Sequence, residues 1–341
     1  MNPALLLASA LAAPLTTHGR RPLEAQPPVG LDPTGCGGCH RRVHRDWQSS
    51  AHATSWTDPH FQASWAEQRL AWCVHCHAPL AEPGGPPGAQ LGENVDLGDA
   101  ADQGVSCAAC HLRDGEVLTA DPPGWLARRA HAARQEDGLA DGTLCAGCHD
   151  FEFQRHTPAA PMSWSDTPAQ DTADEWRSSW AAARDVGCSD CHQRRGRHRF
   201  PGGHDAALLR DTIDVAMAWR GDTLAATLTA RGAAHAVPTG DPFRQLVVEL
   251  CPDPGCQTQT GRAVWGRRFR PTETSWELTL DTRIPPAVDG PSASRTLELT
   301  PTGPARTWRL WLDLADPALG LPDTEARILI ATGMVPDGAP P

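Results

Sequence analysis

Apolar and polar residues alternate strictly only in the C-terminal part of the chain. After Thr212, Ile213, Val215, Met217 and Trp219 share one side of an extended segment. Leu224, Ala226, Leu228 and Ala230 share one side of the next. The period of two returns at Trp276, Leu278 and Leu280, at Leu297 and Leu299, at Trp308, Leu310, Leu312 and Leu314, and at Ile328 and Ile330. Successive side chains of a strand point to opposite faces, so this pattern predicts half-buried strands. With Pro, Gly and Asp turns between them, the strands predict an all-β domain over residues 206–341, an antiparallel sandwich of Ig-like size.

No such period runs through the preceding region. Short helical pieces are predicted over 58–73 and 172–184, broken by loops such as the Pro/Gly-rich 82–88. A region with few short helices and long loops needs something other than its own side chains to form a core. The cysteines supply the reason. Cys36 and Cys39 precede His40, Cys73 and Cys76 precede His77, and Cys107 and Cys110 precede His111. Cys145 and Cys148 precede His149, and Cys188 and Cys191 precede His192. Each is the Cys-x-x-Cys-His pattern of covalent haem c attachment. Two thiols bind the porphyrin through its vinyl groups, and the next histidine reaches the iron. A zinc site would not demand a histidine after every pair, and a thioredoxin-like pair would occur once. Five covalently attached haems c are therefore expected over residues 30–205, with the iron ligated by His40, His77, His111, His149 and His192. Much of the core there would be porphyrin.

The remaining pair, Cys251 and Cys256, encloses Pro-Asp-Pro-Gly at the end of a strand pattern, and a local disulfide is expected. Haem c is attached outside the bacterial inner membrane, so export is expected, to the periplasm or onward to the outer membrane or cell surface. Residues 1–20 read as a signal peptide and leader, with an apolar run to Ala13 and Ala10-x-Ala12 as a cleavage site. No later run approaches the ~20 apolar residues of a membrane span. The formal charge of -11, made more negative by haem propionates, disfavours nucleic acid and favours redox protein partners, a basic one above all or one that reads a local patch.

Ten histidines lie outside the fifth position of a motif: His18, His44, His52, His60 and His75, then His131, His156, His198, His204 and His235. Two resemblances bear on them. Trp47-Gln-Ser-Ser-Ala-His52-Ala and Gly104-Val105-Ser106-Cys107 resemble segments of the tetrahaem cytochromes that accept electrons from hydroxylamine oxidoreductase, the cytochrome c-552/c-554 type, over residues 35–150. In that family the histidine matching His52 ligates a different haem, and a downstream distal histidine is best matched by His131. The rest resembles exported multihaem cytochromes in which a segment like His198-Arg-Phe-Pro201-Gly-Gly-His204 leads into a β-domain. That β-domain carries a turn like the one around His235. The resemblance implies His52, His131, His198, His204 and His235 as distal ligands, with His44, His60, His156 and Met162 in reserve.

If every iron has two axial histidines, the chain is an electron carrier and no residue is catalytic. The alternative is a multihaem oxidoreductase acting on nitrogen or sulfur compounds, with one open iron. Its two known signatures, a Cys-x-x-Cys-Lys motif and a crosslinking Tyr, are missing from a chain without Lys or Tyr. A pyridine haemochrome assay is expected to give five haems per chain, with the matching mass shift. Three or fewer in matured protein would refute the five-site reading.

Overall fold

The structure, a computed structural model, describes residues 32–81, 90–92, 95–155, 163–316 and 319–338. The predicted leader, His18, His156 and Met162 lie outside them. Among the described residues no helix is long and apolar enough to cross a membrane.

The N-terminal half is a series of short helices. They are α1 (Pro33–Gly37), α2 (Arg41–Gln48), α3 (Pro59–Gln68), α4 (Ala71–His77), α5 (Cys107–His111) and α6 (Trp125–Ala130). Then come α7 (Asp137–Ala140), α8 (Thr143–His149), α9 (Thr172–Arg177), α10 (Cys188–His192) and α11 (Ala206–Thr212). Their starts are written in the sequence. Asp58 caps α3 by accepting from the amides of His60 and Phe61, with Pro59 in the first turn. Asp190 accepts from the Gly187 amide at the head of α10. The helix expected over 58–73 is interrupted: Arg69 adopts a left-handed conformation (φ 47°), which ends α3 and lets α4 leave in a new direction. The piece expected over 172–184 is likewise α9 followed by a 3₁₀ turn at Ala182–Arg184.

Strands β1 (Leu112–Arg113), β2 (Glu116–Thr119) and β3 (Ala133–Gln135) form a small sheet. A longer hairpin, β4 (Asp150–Arg155) and β5 (Ser163–Asp171), was not expected. Its sequence lacks clean alternation, and the register shifts twice.

The C-terminal region contains β6 (Ile213–Arg220), β7 (Thr223–Arg231), β8 (Gln245–Cys251), β9 (Gly261–Trp265), β10 (Arg267–Pro271) and β11 (Trp276–Asp281). It continues with β12 (Ser292–Leu299), β13 (Thr307–Asp313), α12 (Asp323–Ala326) and β14 (Arg327–Met334). Two antiparallel sheets, ordered β12-β7-β6 and β14-β13-β8-β9, share one core. Leu224 and Leu228 from the first sheet meet Leu246, Leu250, Leu310 and Leu312 from the second. Central β8 is buried on both faces, which is why its sequence does not alternate. Its one carboxylate, Glu249, is held by Arg327 (3.0 Å) and Trp311 Nε1 (2.9 Å). A disulfide joins Cys251 to Cys256.

One strand departs from expectation. β11 pairs only with β10 in a two-stranded ribbon, and Leu278 and Leu280 stay 36% and 43% exposed. Alternation marks a strand face, but only packing decides whether that face meets a core. The turn end of the ribbon meets the β4–β5 hairpin, where Phe153 packs on Phe269 and Trp276.

Leu310, fully buried, tests the shared core. Leu310→Ala is expected to cost about 2–5 kcal/mol, read as a lowered midpoint in denaturant titration.

Candidate metal centres

Each motif histidine sits at or just after the end of a one- or two-turn helix. His77, His111, His149 and His192 are the last residues of α4, α5, α8 and α10, and His40 lies between α1 and α2. One turn brings both cysteines and the imidazole to one side.

Four of these five imidazoles face a second one from elsewhere in the chain. The ring centres are 6.3 Å apart for His40 and His131, and 6.1 Å for His111 and His198. They are 6.3 Å apart for His52 and His149, and again 6.3 Å for His192 and His235. A metal–nitrogen bond is about 2 Å and the ring centre lies about 1 Å beyond, so two imidazoles sharing one iron have centres about 6 Å apart. Ordinary aromatic pairs scatter over about 4.5–7 Å. Four motif histidines clustered within that spread, each with a non-motif partner, fit a shared iron better.

The hydrogen bonds fit the same group. His77 Nδ1 donates to the Ser55 carbonyl (2.9 Å), His111 Nδ1 to Leu118 (2.8 Å) and His192 Nδ1 to Pro201 (2.7 Å). On the facing side His198 Nδ1 donates to Gly196 (3.2 Å) and His235 Nδ1 to Ala236 (2.9 Å). A carbonyl can only accept, so Nδ1 carries the proton and the Nε2 lone pair is left for a metal. Burial pushes the His52, His77 and His235 imidazoles down to about 4. The neutral form that ligation requires is therefore the resting form. Among the described residues, no cluster of three or more His, Cys, Asp or Glu side chains could hold a metal ion on its own.

The fifth motif histidine differs. His77 stacks on Phe61 at 3.7 Å, and no second imidazole faces it among the described residues. His204, expected as a distal ligand, lies beside His60, with ring centres 6.0 Å apart. That contact involves no motif histidine. His60 is itself engaged, by Asp58 at Nδ1 (3.1 Å) and by the Glu325 carbonyl at Nε2. His44 packs on Trp47 at 5.6 Å.

Contacts between motifs arrange the sites in space. The Cys36 and Cys107 thiols are neighbours, as are Cys76 and Cys148, and Cys145 and Cys188. Cys110 also feels Cys148. The first site thus adjoins the third, and the fourth adjoins the second, third and fifth. Two glycines permit this closeness. A Cβ at Gly142 would stand 2.6 Å from that of Cys188. One at Gly104 would stand 2.5 Å from the His52 carbonyl, which accepts from the next amide, Val105 (2.9 Å). The Gly-Val-Ser lead into the third motif is therefore the seat of the His52 segment.

Two carboxylates were not found by sequence reasoning. Asp46 on α2 grips Arg197 with both oxygens (2.5 and 2.6 Å) and accepts from the His198 amide (3.4 Å). Glu175 on α9 accepts from the Ala236 amide (2.9 Å) and pairs with Arg283 (2.7 Å), tying the His235 turn to the N-terminal half. Burial raises the Glu175 carboxyl to about 7 despite Arg283. Nothing near either residue in sequence signals these partners.

Residues 35–112 match the protein family described as cytochrome c554 and c-prime. No curated protein matches the chain. Among solved structures, a penta-heme cytochrome c552 from Thermochromatium tepidum is similar, with a TM-score of 0.61 and 22% identity. The likeness covers 88% of this chain and 97% of that one. At this identity it establishes the fold. The family match and the repeated motif support a multihaem c-type cytochrome, with haem c bound covalently at the five attachment sites.

Asp46 gives a pH-dependent test. The Arg197 hydrogen bonds hold its carboxyl below the usual value of 3.8. A carboxyl lowered on folding stabilises the fold above its unfolded pKa, and that contribution is lost as pH falls through the folded value. Asp46→Asn is expected to cost about 1–3 kcal/mol at neutral pH. The gap from wild type should shrink below about pH 4, as followed by denaturant titration at several pH values.

Proposed function

We propose that this chain is an exported pentahaem cytochrome c that passes electrons along closely packed haems between redox protein partners. Haem c supplies a one-electron Fe(III)/Fe(II) couple. The observation that carries the reading is the set of four facing imidazole pairs, with Nδ1 protons directed at backbone carbonyls. On this reading His131, His198, His52 and His235 are the distal ligands at the first, third, fourth and fifth sites. An iron with both axial positions filled by histidine binds no substrate, and bis-histidine ligation favours the lower potentials of a carrier. The carbonyl acceptors raise the basicity of the imidazoles and fix their planes.

The adjacency of the sites suggests a route from first to third to fourth to fifth, with the second as a branch on the fourth. Residues 30–205 would form the haem domain and 206–341 an Ig-like sandwich that lends His235 to the fifth site. Export follows from the chemistry of attachment, with the periplasm as destination. A multihaem oxidoreductase would need an open iron. The second site is the place to look, since His77 is the motif histidine without a facing imidazole among the described residues.

Electron paramagnetic resonance of the holoprotein and of His235→Ala tests the reading. The variant should keep five haems, since attachment needs only the motifs. It should convert one iron from low to high spin, bind CO when reduced, and show one raised potential. A spectrum and potentials identical to wild type would make His235 a structural turn residue.

A further inference from the structure

The net charge of -11 points to a basic partner, but the arginines are not evenly spread. Helix α2 carries Arg41, Arg42 and Arg45, all exposed. The segment after the last motif carries Arg194, Arg195, Arg197 and Arg199, also exposed. The two stretches are far apart in sequence, and Asp46 joins them through Arg197 (2.5 Å) and Arg199 (3.7 Å). Helix α6 adds exposed Arg128 and Arg129 and leads into His131, which faces His40. These arginines border the first and third sites.

Few carboxylates answer them. Asp46 is already engaged, and Glu116 and Glu136 are taken by Arg134. Asp32, whose carboxyl lies near His44 of α2, is exposed, as are Asp121 and Asp190. Among the described residues, Arg41, Arg45 and Arg128 reach the carbonyls of Gly38 (3.5 Å), Arg41 (3.4 Å) and Pro123 (3.0 Å). Propionates of two haems would leave the arginines in excess. On α6, Trp125 and Leu126 stand 67% and 65% exposed, an apolar pair on the same helix as Arg128 and Arg129.

We propose that this arginine-rich face over the first site docks an acidic redox protein, with Trp125 and Leu126 as its apolar contact. The proposal rests on the electron-transfer reading above. Local charge of opposite sign steers encounter even when net charges repel, and an apolar centre with a charged rim is the usual anatomy of such a contact.

The probe is reduced flavodoxin, an acidic one-electron carrier, mixed with the oxidised holoprotein in stopped flow. Between about 0.01 M and about 0.15 M salt the Debye length contracts from about 30 to about 8 Å. The bimolecular rate should fall about tenfold over that range. A combined Arg41→Gln, Arg45→Gln, Arg128→Gln and Arg129→Gln variant should lose most of the low-salt rate and of the salt dependence, with haem count and potentials unchanged. Trp125→Ala with Leu126→Ala should slow transfer while leaving the salt slope intact. A rate that rises with salt, or is indifferent to the arginine variant, would overturn the proposal, since net charge would then govern encounter. Shifted potentials with an unchanged salt slope would also overturn it, by assigning the arginines to propionates. So would a salt dependence that emerges only on removing residues 1–31, which would assign the face to the chain's own N-terminal segment. Predominantly high-spin irons would defeat the electron-transfer reading itself, whereas low-spin irons with no salt dependence defeat only the docking face.

Discussion

In the bis-histidine sites proposed above, two imidazoles meet across a gap of about 6 Å, each with its Nε2 lone pair turned inward. On that reading the N-terminal half is built around this constraint. Its helices are too short to form a core by ridge-and-groove packing, and its sheets have two or three strands. What they share is the task of placing an imidazole and offering its Nδ1 proton a carbonyl. Ser55, Leu118 and Pro201 do this with backbone atoms alone. Any residue type at those positions supplies a carbonyl, so the pattern leaves little trace in composition.

The partners come from distant parts of the chain, and polar anchors hold them. Asp46 fixes the segment that carries His198, and Glu175 fixes the turn that carries His235. Both are buried carboxylates whose cost of burial is offset by arginine and amide donors. Glu175 belongs to the N-terminal half, and its partners Arg283 and Ala236 belong to the β-region, so the two halves are joined by buried charge as well as by the His235 ring.

What the chain reveals by reading differs with the physical origin of each feature. The attachment motifs are local: Cys188-Ser-Asp-Cys-His192 carries its chemistry in five consecutive residues. Strands with one buried face, such as β6 and β13, show a period of two and were legible. β8 was less so, because burial on both faces erases alternation, and β11 misled, because its alternating leucines lie on an exposed ribbon. The distal histidines could be short-listed by supply and resemblance, but which site each one faces depends on long-range geometry. His204 shows the limit. It lies in the expected Pro-Gly-Gly-His run, yet the fold sets it beside His60. Asp46 and Glu175 could not be found at all, since a buried carboxylate is defined by partners that only the fold brings near.

The long sequence separation of the facing histidines has a consequence for biogenesis. A fold whose contacts are mostly non-local forms slowly, because each loop must close before its contact is rewarded. On the proposed reading the rewarding contact is a bond to the iron of a haem that must first be attached. Before its cofactors are in place, the N-terminal half has only two small apolar clusters to collapse onto, one around Trp65 and Val74 and one around Leu80 and Leu112. The β-region has a core of its own and can form first, as a prefabricated unit. With His235 as the distal ligand proposed above, that ready-made domain would be the keystone that closes the fifth site, and maturation would end with a docking event.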